Sequence, residues 1–266
     1  KFKVPFVNGA SVEPSLTERG FKWFFRTTPI VTHFVGNYFQ FLNELKARGF
    51  AVETVALVYE NTDYGTSVAE HVRKNAQAGG YRVVADIAYN ANTTDVTSEI
   101  ARLRRADPDV VFFASYTSDA ILFINTMRNQ RYKPRLIIGD DSGFSDPQFR
   151  QNVGAYAQGL INRTEFELPG PGTPGYVVNQ LYRAKTGFDL DGSSARVLQA
   201  ALVLADAINR AGSTSAEAIR RALQETNLGP DRIIMPWRGI RFDEKGQNTL
   251  GGILLQQLVG DRLIAP

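Results

Sequence analysis

The chain has no cysteine, two histidines, two methionines and two tryptophans in 266 residues. Zero cysteine excludes disulfides, thiol catalysis and thiolate metal ligands, and it fits an oxidising compartment as well as a reducing one. With only His33 and His71 present, imidazole acid–base chemistry has two places to sit, and His71 has no neighbouring histidine with which to grip a metal. No apolar run is long enough to span a bilayer, and no charged start with an apolar core marks a leader, so the sequence as given is expected to be soluble and either mature or truncated. Charge of one sign is scarce too: 30 basic residues stand against 27 acidic, a net of +3. The densest basic cluster, Arg102, Arg104 and Arg105, falls on a predicted helix followed by Asp107, which reads as a solvated face and not as a nucleic-acid footprint.

Hydrophobic residues at 43% and charged residues at 21% describe an ordinary globular protein, long enough for two lobes. Three apolar runs, 55–59, 110–114 and 136–138, each stop at a polar cluster (60–65, 115–119 and 140–146) before a helix pattern begins. A parallel sheet opens a crevice at that point, so the repetition predicts a binding face. Strands are expected over 4–8, 23–27, 54–59, 82–88, 109–114, 135–139, 159–164, 240–242 and 253–258, with helices between most of them, which is an α/β pattern with parallel strands.

The helix over 32–48 carries an apolar stripe of Phe34, Tyr38, Leu42 and Leu45 and stops at Gly49. Asp146 before Pro147 opens a short helix closed by Gly154, and Thr173 before Pro174 opens another ended by Gly187. Val197, Leu198, Ala201, Leu202, Ala205 and Ile208 define the expected buried face of a later helix, and Thr214 with Glu217 has capping-box spacing. The Pro- and Gly-rich stretch 169–175 is the expected change of lobe.

Most motif-like strings carry little. Gly170, Gly172 and Gly175 match a dinucleotide fingerprint, but Pro171 and Pro174 lack the N–H donors a pyrophosphate needs. Gly65 to Val68 imitates a nucleophile elbow, yet Ala69 replaces its second glycine and Ser67 falls inside a helix. Asp140 and Asp141 are adjacent and their side chains diverge in extended backbone, which does not support an acid/base pair. The sequons at Asn92 and Asn162 read as unmodified polar positions. What remains is a cleft without chemistry. Tyr64 and Tyr116 can offer flat apolar walls tipped by hydroxyls, or simply pack in a core. Asp141 can accept an ammonium or amide, or serve the loop turn. His33, after the strand over 23–27, sits at a possible lobe crossing.

Residues 4–17 (VPFVNGASVEPSLT), the arginine-threonine strand at 24–28, Tyr64-Gly65, 105–113 (RADPDVVFF), 139–149, 195–212 and 242–246 (FDEKG) together resemble type I periplasmic binding proteins of the leucine/isoleucine/valine-binding type. The resemblance covers the whole chain. It implies two doubly wound parallel-sheet lobes joined by three crossing segments, with 1–30 and 165–247 in lobe one and 31–164 and 248–266 in lobe two. It also implies an extracytoplasmic, periplasmic protein that closes on a solute about a hinge and hands it to the membrane permease of an ABC transporter, with no reaction, cofactor, metal or nucleic acid. By position, Ala10, Ser11 and Val12 would hold a ligand carboxylate, Tyr64 and Tyr116 would close over the ligand, and Asp141 would take its amino group, with His33, Ser115 and Phe144 as further candidate lining.

Two departures bear on the ligand. Val12 stands where the family usually has threonine or serine, and Val31 with His33 replace an acidic residue and polar partners, which brings aromatic or aliphatic acids and amides into contention beside amino acids. The family's first βα units, with their Ser/Gly loop, have no counterpart before Lys1. Lobe one is therefore expected to be incomplete, with 4–8 short of sheet neighbours and the helix over 195–211 partly uncovered. A sensing domain of a receptor or transcription regulator shares the fold and is the rival of another class.

Overall fold

The structure, a computed structural model, describes residues 3–140, 142–260, 262–264 and 266. In chain order the elements are β1 (Phe6–Asn8), α1 (Ser15–Glu18), β2 (Phe24–Arg26), α2 (Val31–Ala47), β3 (Thr54–Glu60), α3 (Asp63–Ala78), β4 (Arg82–Tyr89), α4 (Thr97–Ala106), β5 (Val110–Ala114), α5 (Thr117–Asn129) and β6 (Leu136–Gly139). They continue with α6 (Ser142–Ser145), α7 (Pro147–Val153), β7 (Ile161–Thr164), α8 (Pro174–Thr186), α9 (Gly192–Ala211), α10 (Ala216–Gln224), β8 (Asn227–Leu228), β9 (Ile240–Arg241), β10 (Leu254–Val259) and β11 (Arg262–Ile264). The chain divides into two compact units, Lys1–Ile30 with Glu165–Ile253 and Val31–Thr164 with Leu254–Pro266.

The second unit is a seven-stranded sheet in the order β11-β10-β7-β6-β5-β3-β4. From β4 to β7 every neighbouring pair is parallel, whereas β10 runs antiparallel to β7 and to β11. The central strands β3 (TVALVYE) and β5 (VVFFA) are buried almost throughout, as apolar runs with helices on both faces must be. On one face α5, α4 and α7 supply Phe123, Ile100 and Phe149 to a core that also holds Phe113, Phe144 and Leu258. On α2 the expected stripe buries Phe34, Tyr38 and Leu42. At the opposite end of the sheet, Asp109 Oδ2 accepts the N–H groups of Glu53 and Thr54 at 2.9 Å each, and Arg135 lies 2.8 Å from its Oδ1. Burial works against the Asp109 carboxylate, but those backbone donors, the Thr54 hydroxyl and Arg135 outweigh it and hold its pKa below the usual range.

The first unit pairs β1 with β2 in parallel, Asn8 opposite Arg26, and β8 with β9 antiparallel. Its core gathers Phe25, Val203, Leu223, Ile233, Trp237 and Ile240. Arg26 is fully buried, and its guanidinium is met by the Gln247 side chain at 2.7 Å, the Glu13 carbonyl at 2.5 Å and the Thr17 hydroxyl at 3.0 Å. Burial, only partly offset by Glu13 and Asp243, pulls its pKa down to about 10.

The capping signals of Asp146 and Thr173 are realised, each side chain accepting a backbone N–H of the first turn. Other expectations are corrected. The change of unit falls at 164/165, where the bounds implied by the resemblance put it, and not in the Pro- and Gly-rich stretch, while 248–253 lies in the first unit, where Asn248 Nδ2 donates to the Thr27 carbonyl and its N–H to that of Arg26. At α10 the cap is Ser215, without a side-chain bond, and not Thr214. The capping box opens α9 instead, where Asp191 and Ser194 bond reciprocally. Most consequential is the face of α9. Its buried residues are Ala195, Arg196, Gln199, Ala200, Val203 and Ala207, while Val197, Leu202 and Ile208, expected inside, are exposed together with Val4 and Phe6 of the β1 segment. Part of the apolar surface of the helix and of the β1 segment is thus uncovered, as the reading of lobe one expected, while the inward face sets Ala195, Ala200 and Ala207 beside the buried Arg196 and Gln199.

Candidate functional site

Gly9 packs close against α9. A Cβ there would stand 2.7 Å from both the Ala200 Cβ and the Arg196 carbonyl oxygen, so only glycine lets the loop after β1 settle on α9. The loop is shaped by Asn8, whose Oδ1 accepts the N–H groups of Ala10 at 2.9 Å and Ser11 at 3.0 Å, and whose Nδ2 donates to the Ser11 carbonyl at 3.0 Å. Two of the donors expected to face a ligand carboxylate are therefore taken by Asn8. Ser11 is exposed and its hydroxyl has no partner among the described residues, while the Val12 side chain is buried at 7% exposure and its part in a site is limited to backbone.

In the second unit the register brings polar strand ends into one row. Tyr59 pairs with Ala114, Phe113 with Gly139, and Gly139 with Asn162, so the residues one step on, Glu60, Ser115, Asp140 and Arg163, line the C-terminal edge of the parallel strands. Ligands of doubly wound sheets bind at this edge. Glu60 is fully buried and accepts the N–H groups of Thr62 at 2.8 Å and Gly65 at 2.9 Å, which satisfies two donors at the start of α3. Gly65 is required for that cap, since a Cβ on it would come 2.1 Å from the Glu60 carbonyl oxygen.

Asp140 is the centre of the edge. Its carboxylate, 2% exposed, accepts the Tyr38 hydroxyl at 2.5 Å and Arg163 Nε on Oδ1, and the Tyr64 hydroxyl at 2.7 Å on Oδ2. The Arg163 guanidinium stacks over the Phe34 ring, 3.9 Å from its centroid. Burial first, and the neighbouring Asp140 second, push the Tyr38 phenol well above its ordinary pKa, so it stays a donor at every physiological pH. Tyr64 is half-buried, and its ring lies 5.9 Å from that of Tyr116 at 35°. Tyr116 keeps 41% of its surface exposed just before α5.

The structure sets the Tyr64 and Tyr116 rings side by side. Asp141 lies outside the described residues. Ser115 is at the right edge but wholly buried. Phe144 is a correction: it is 1% exposed and packs on Phe113 and Phe149 in the core, and Gly139 leaves room for its ring. His33 is exposed in the first turn of α2. Asp140, set aside above as half of an acid/base pair, Tyr38, placed in an apolar stripe, and Arg163 and Asn8 were not among the expected site residues; a charge directly after an apolar run at 140 and another inside the expected strand 159–164 are signs of buried charge, but do not point to each other. Among the described residues no group of three or more His, Asp or Glu side chains could hold a metal ion, and no helix is long and apolar enough to cross a membrane.

The sequence profile of the periplasmic binding protein family matches residues 1–259. The chain belongs to that family. Among its relatives, Leu/Ile/Val-binding protein homolog 7 of Brucella suis biovar 1 (strain 1330) is 28% identical over 270 aligned positions, covering 98% of this chain and 67% of the relative. Homolog 8 of Brucella abortus (strain 2308) matches to the same extent. Of the solved structures, a leucine binding protein, LivK, from Thermotoga maritima MSB8 superposes with a TM-score of 0.84 at 22% identity, over 98% of this chain and 72% of that one. A branched chain amino acid ABC transporter protein from Thermus thermophilus with bound valine gives 0.82 at 20% identity, over 98% and 71%. At those identities the superpositions establish a shared fold, the two-lobed α/β architecture that the periplasmic binding resemblance implies.

Proposed function

We propose that this protein is the extracytoplasmic solute-binding component of an ABC importer and that its solute is a small amino acid with an apolar side chain. One observation carries the reading at the level of residues. The Tyr64 and Tyr116 rings stand side by side at the C-terminal edge of a parallel sheet, in a family whose members bind solutes. The names of the Brucella relatives and the valine in the Thermus protein point the same way. In this reading Ser11 and the Val12 N–H serve the ligand carboxylate, Asp141 its ammonium, and the two rings its side chain. The partner is a membrane permease, and the protein acts by binding without chemistry.

A second reading, aromatic acids or amides in the same transport role, is favoured by Val12, which supplies no hydroxyl, and by Asp140, whose oxygens are occupied within the fold. Calorimetry on the full-length protein with leucine, isoleucine, valine, benzoate-type acids and short amides separates the two. Heat from the branched amino acids alone supports the first reading, and heat from none of the three classes rejects both.

A further inference from the structure

The geometry at Asp140 assigns a role to Tyr64 that differs from closing over the ligand with its hydroxyl. That hydroxyl is 2.7 Å from Asp140 Oδ2 and 2.8 Å from the Asp140 carbonyl oxygen, so it is spent on the fold. Asp140 in turn is fixed from the other side by Tyr38 and Arg163, and Arg163 is fixed by the Phe34 ring. Four side chains from α2, β7 and the end of β6 therefore hold one phenol tip, and what Tyr64 presents beyond the edge is its ring, set against Tyr116 at 5.9 Å.

We propose that the buried Tyr38–Asp140–Arg163 cluster is a positioning device that aims the Tyr64 ring as an apolar wall of the ligand site, leaving Tyr116 as the tyrosine that can offer a hydroxyl. This rests on the solute-binding reading above. Three consequences follow from the bonding. Tyr64 contributes to affinity for apolar side chains and not to head-group recognition. Substitutions at Asp140 act on the ligand through Tyr64, although Asp140 touches no ligand. Their effects on binding therefore share one path and do not add.

The experiment is a double-mutant cycle by calorimetry on the full-length protein, using wild type, Tyr64→Phe, Asp140→Asn and the double variant, each titrated with leucine, isoleucine and valine. The expected result is affinity about tenfold lower in Tyr64→Phe, on the scale of losing a bond to a charged group. The three ligands should keep their order, the melting temperature of Tyr64→Phe should fall by a few degrees as the buried Asp140 carboxylate loses one donor, and the double variant should bind no worse than the weaker single variant. If Asp140→Asn does not fold, Tyr38→Phe, which strips a donor from the same carboxylate, takes its place in the cycle. Wild-type affinity in Tyr64→Phe, or losses that multiply in the double variant, would overturn the positioning role while leaving the transport reading intact. Absence of binding by wild type to any amino acid, acid or amide would overturn the transport reading and this role with it.

Discussion

Replacing Arg163 by methionine removes the one cation that faces the buried Asp140 carboxylate among the described contacts, while keeping most of the side chain's volume. Asp140, 2% exposed in the native protein, keeps two phenols as donors among the described contacts, and the stacking on Phe34 is lost as well. Breaking one member of a buried pair costs about 3–5 kcal/mol, because the orphaned charge is more expensive than the pair was worth. With a urea slope of about 2 kcal/mol/M, the unfolding midpoint of the second unit should fall by about 2 M. The chain separates the signals by itself: Trp23 and Trp237 are its only tryptophans, and both lie in the first unit. Far-UV circular dichroism should therefore show the early loss, and tryptophan fluorescence should keep its wild-type midpoint to the extent that the units unfold separately. Adding Asp140→Leu should restore part of the lost stability, since it removes the orphaned charge but leaves the buried Tyr38 hydroxyl without its acceptor. A midpoint shift below about 0.5 M in Arg163→Met would refute the reasoning, as would a further loss in the double variant.

Gly65→Ala should destabilise the second unit by about 1–3 kcal/mol or more, because the new methyl group meets the Glu60 carbonyl at 2.1 Å; a thermal melt at wild-type temperature would contradict the cap described for α3. Asp109→Asn should remove part of the acid sensitivity. A carboxyl with a depressed folded pKa stabilises above its unfolded pKa and loses that contribution as pH falls through the folded value, so the variant should be weaker than wild type at neutral pH and converge with it in acid. Tyr116→Ala should weaken binding of the true solute with little change in melting temperature, given its 41% exposure, and calorimetry showing unchanged affinity would remove Tyr116 from the site. Val197→Ser, on the exposed face of α9, should change the stability of this 266-residue chain by no more than about 0.5 kcal/mol in a urea titration.

Strand positions were legible because buried parallel strands such as 55–59 and 110–114 are unbroken apolar runs, and the edge they create is marked by the first polar residue after each. The antiparallel direction of β10 was not legible, since 253–258 carries the same apolar signal in either orientation. Nor was the inward face of α9. Val197, Leu202 and Ile208 outrank Ala200, Val203 and Ala207 in hydrophobicity, but the inward choice was made by the close approach of Gly9, a contact 191 positions away in sequence from Ala200. The tyrosine pair could be found from its place after strand ends. Its anchor could not, because Tyr38 reads as part of an apolar stripe, and only the register of β6 on β7 puts Arg163 beside Asp140.

The second unit draws β10 from residues 254–259, after the whole of the stretch 165–253 has been made. A ribosome therefore delivers β7 long before the strand that will cover its flank, and the nascent chain must carry an open row of N–H and C=O groups through the synthesis of about 90 residues. Such an interval invites mispairing with other chains until residues 254–259 emerge and cover the flank of β7.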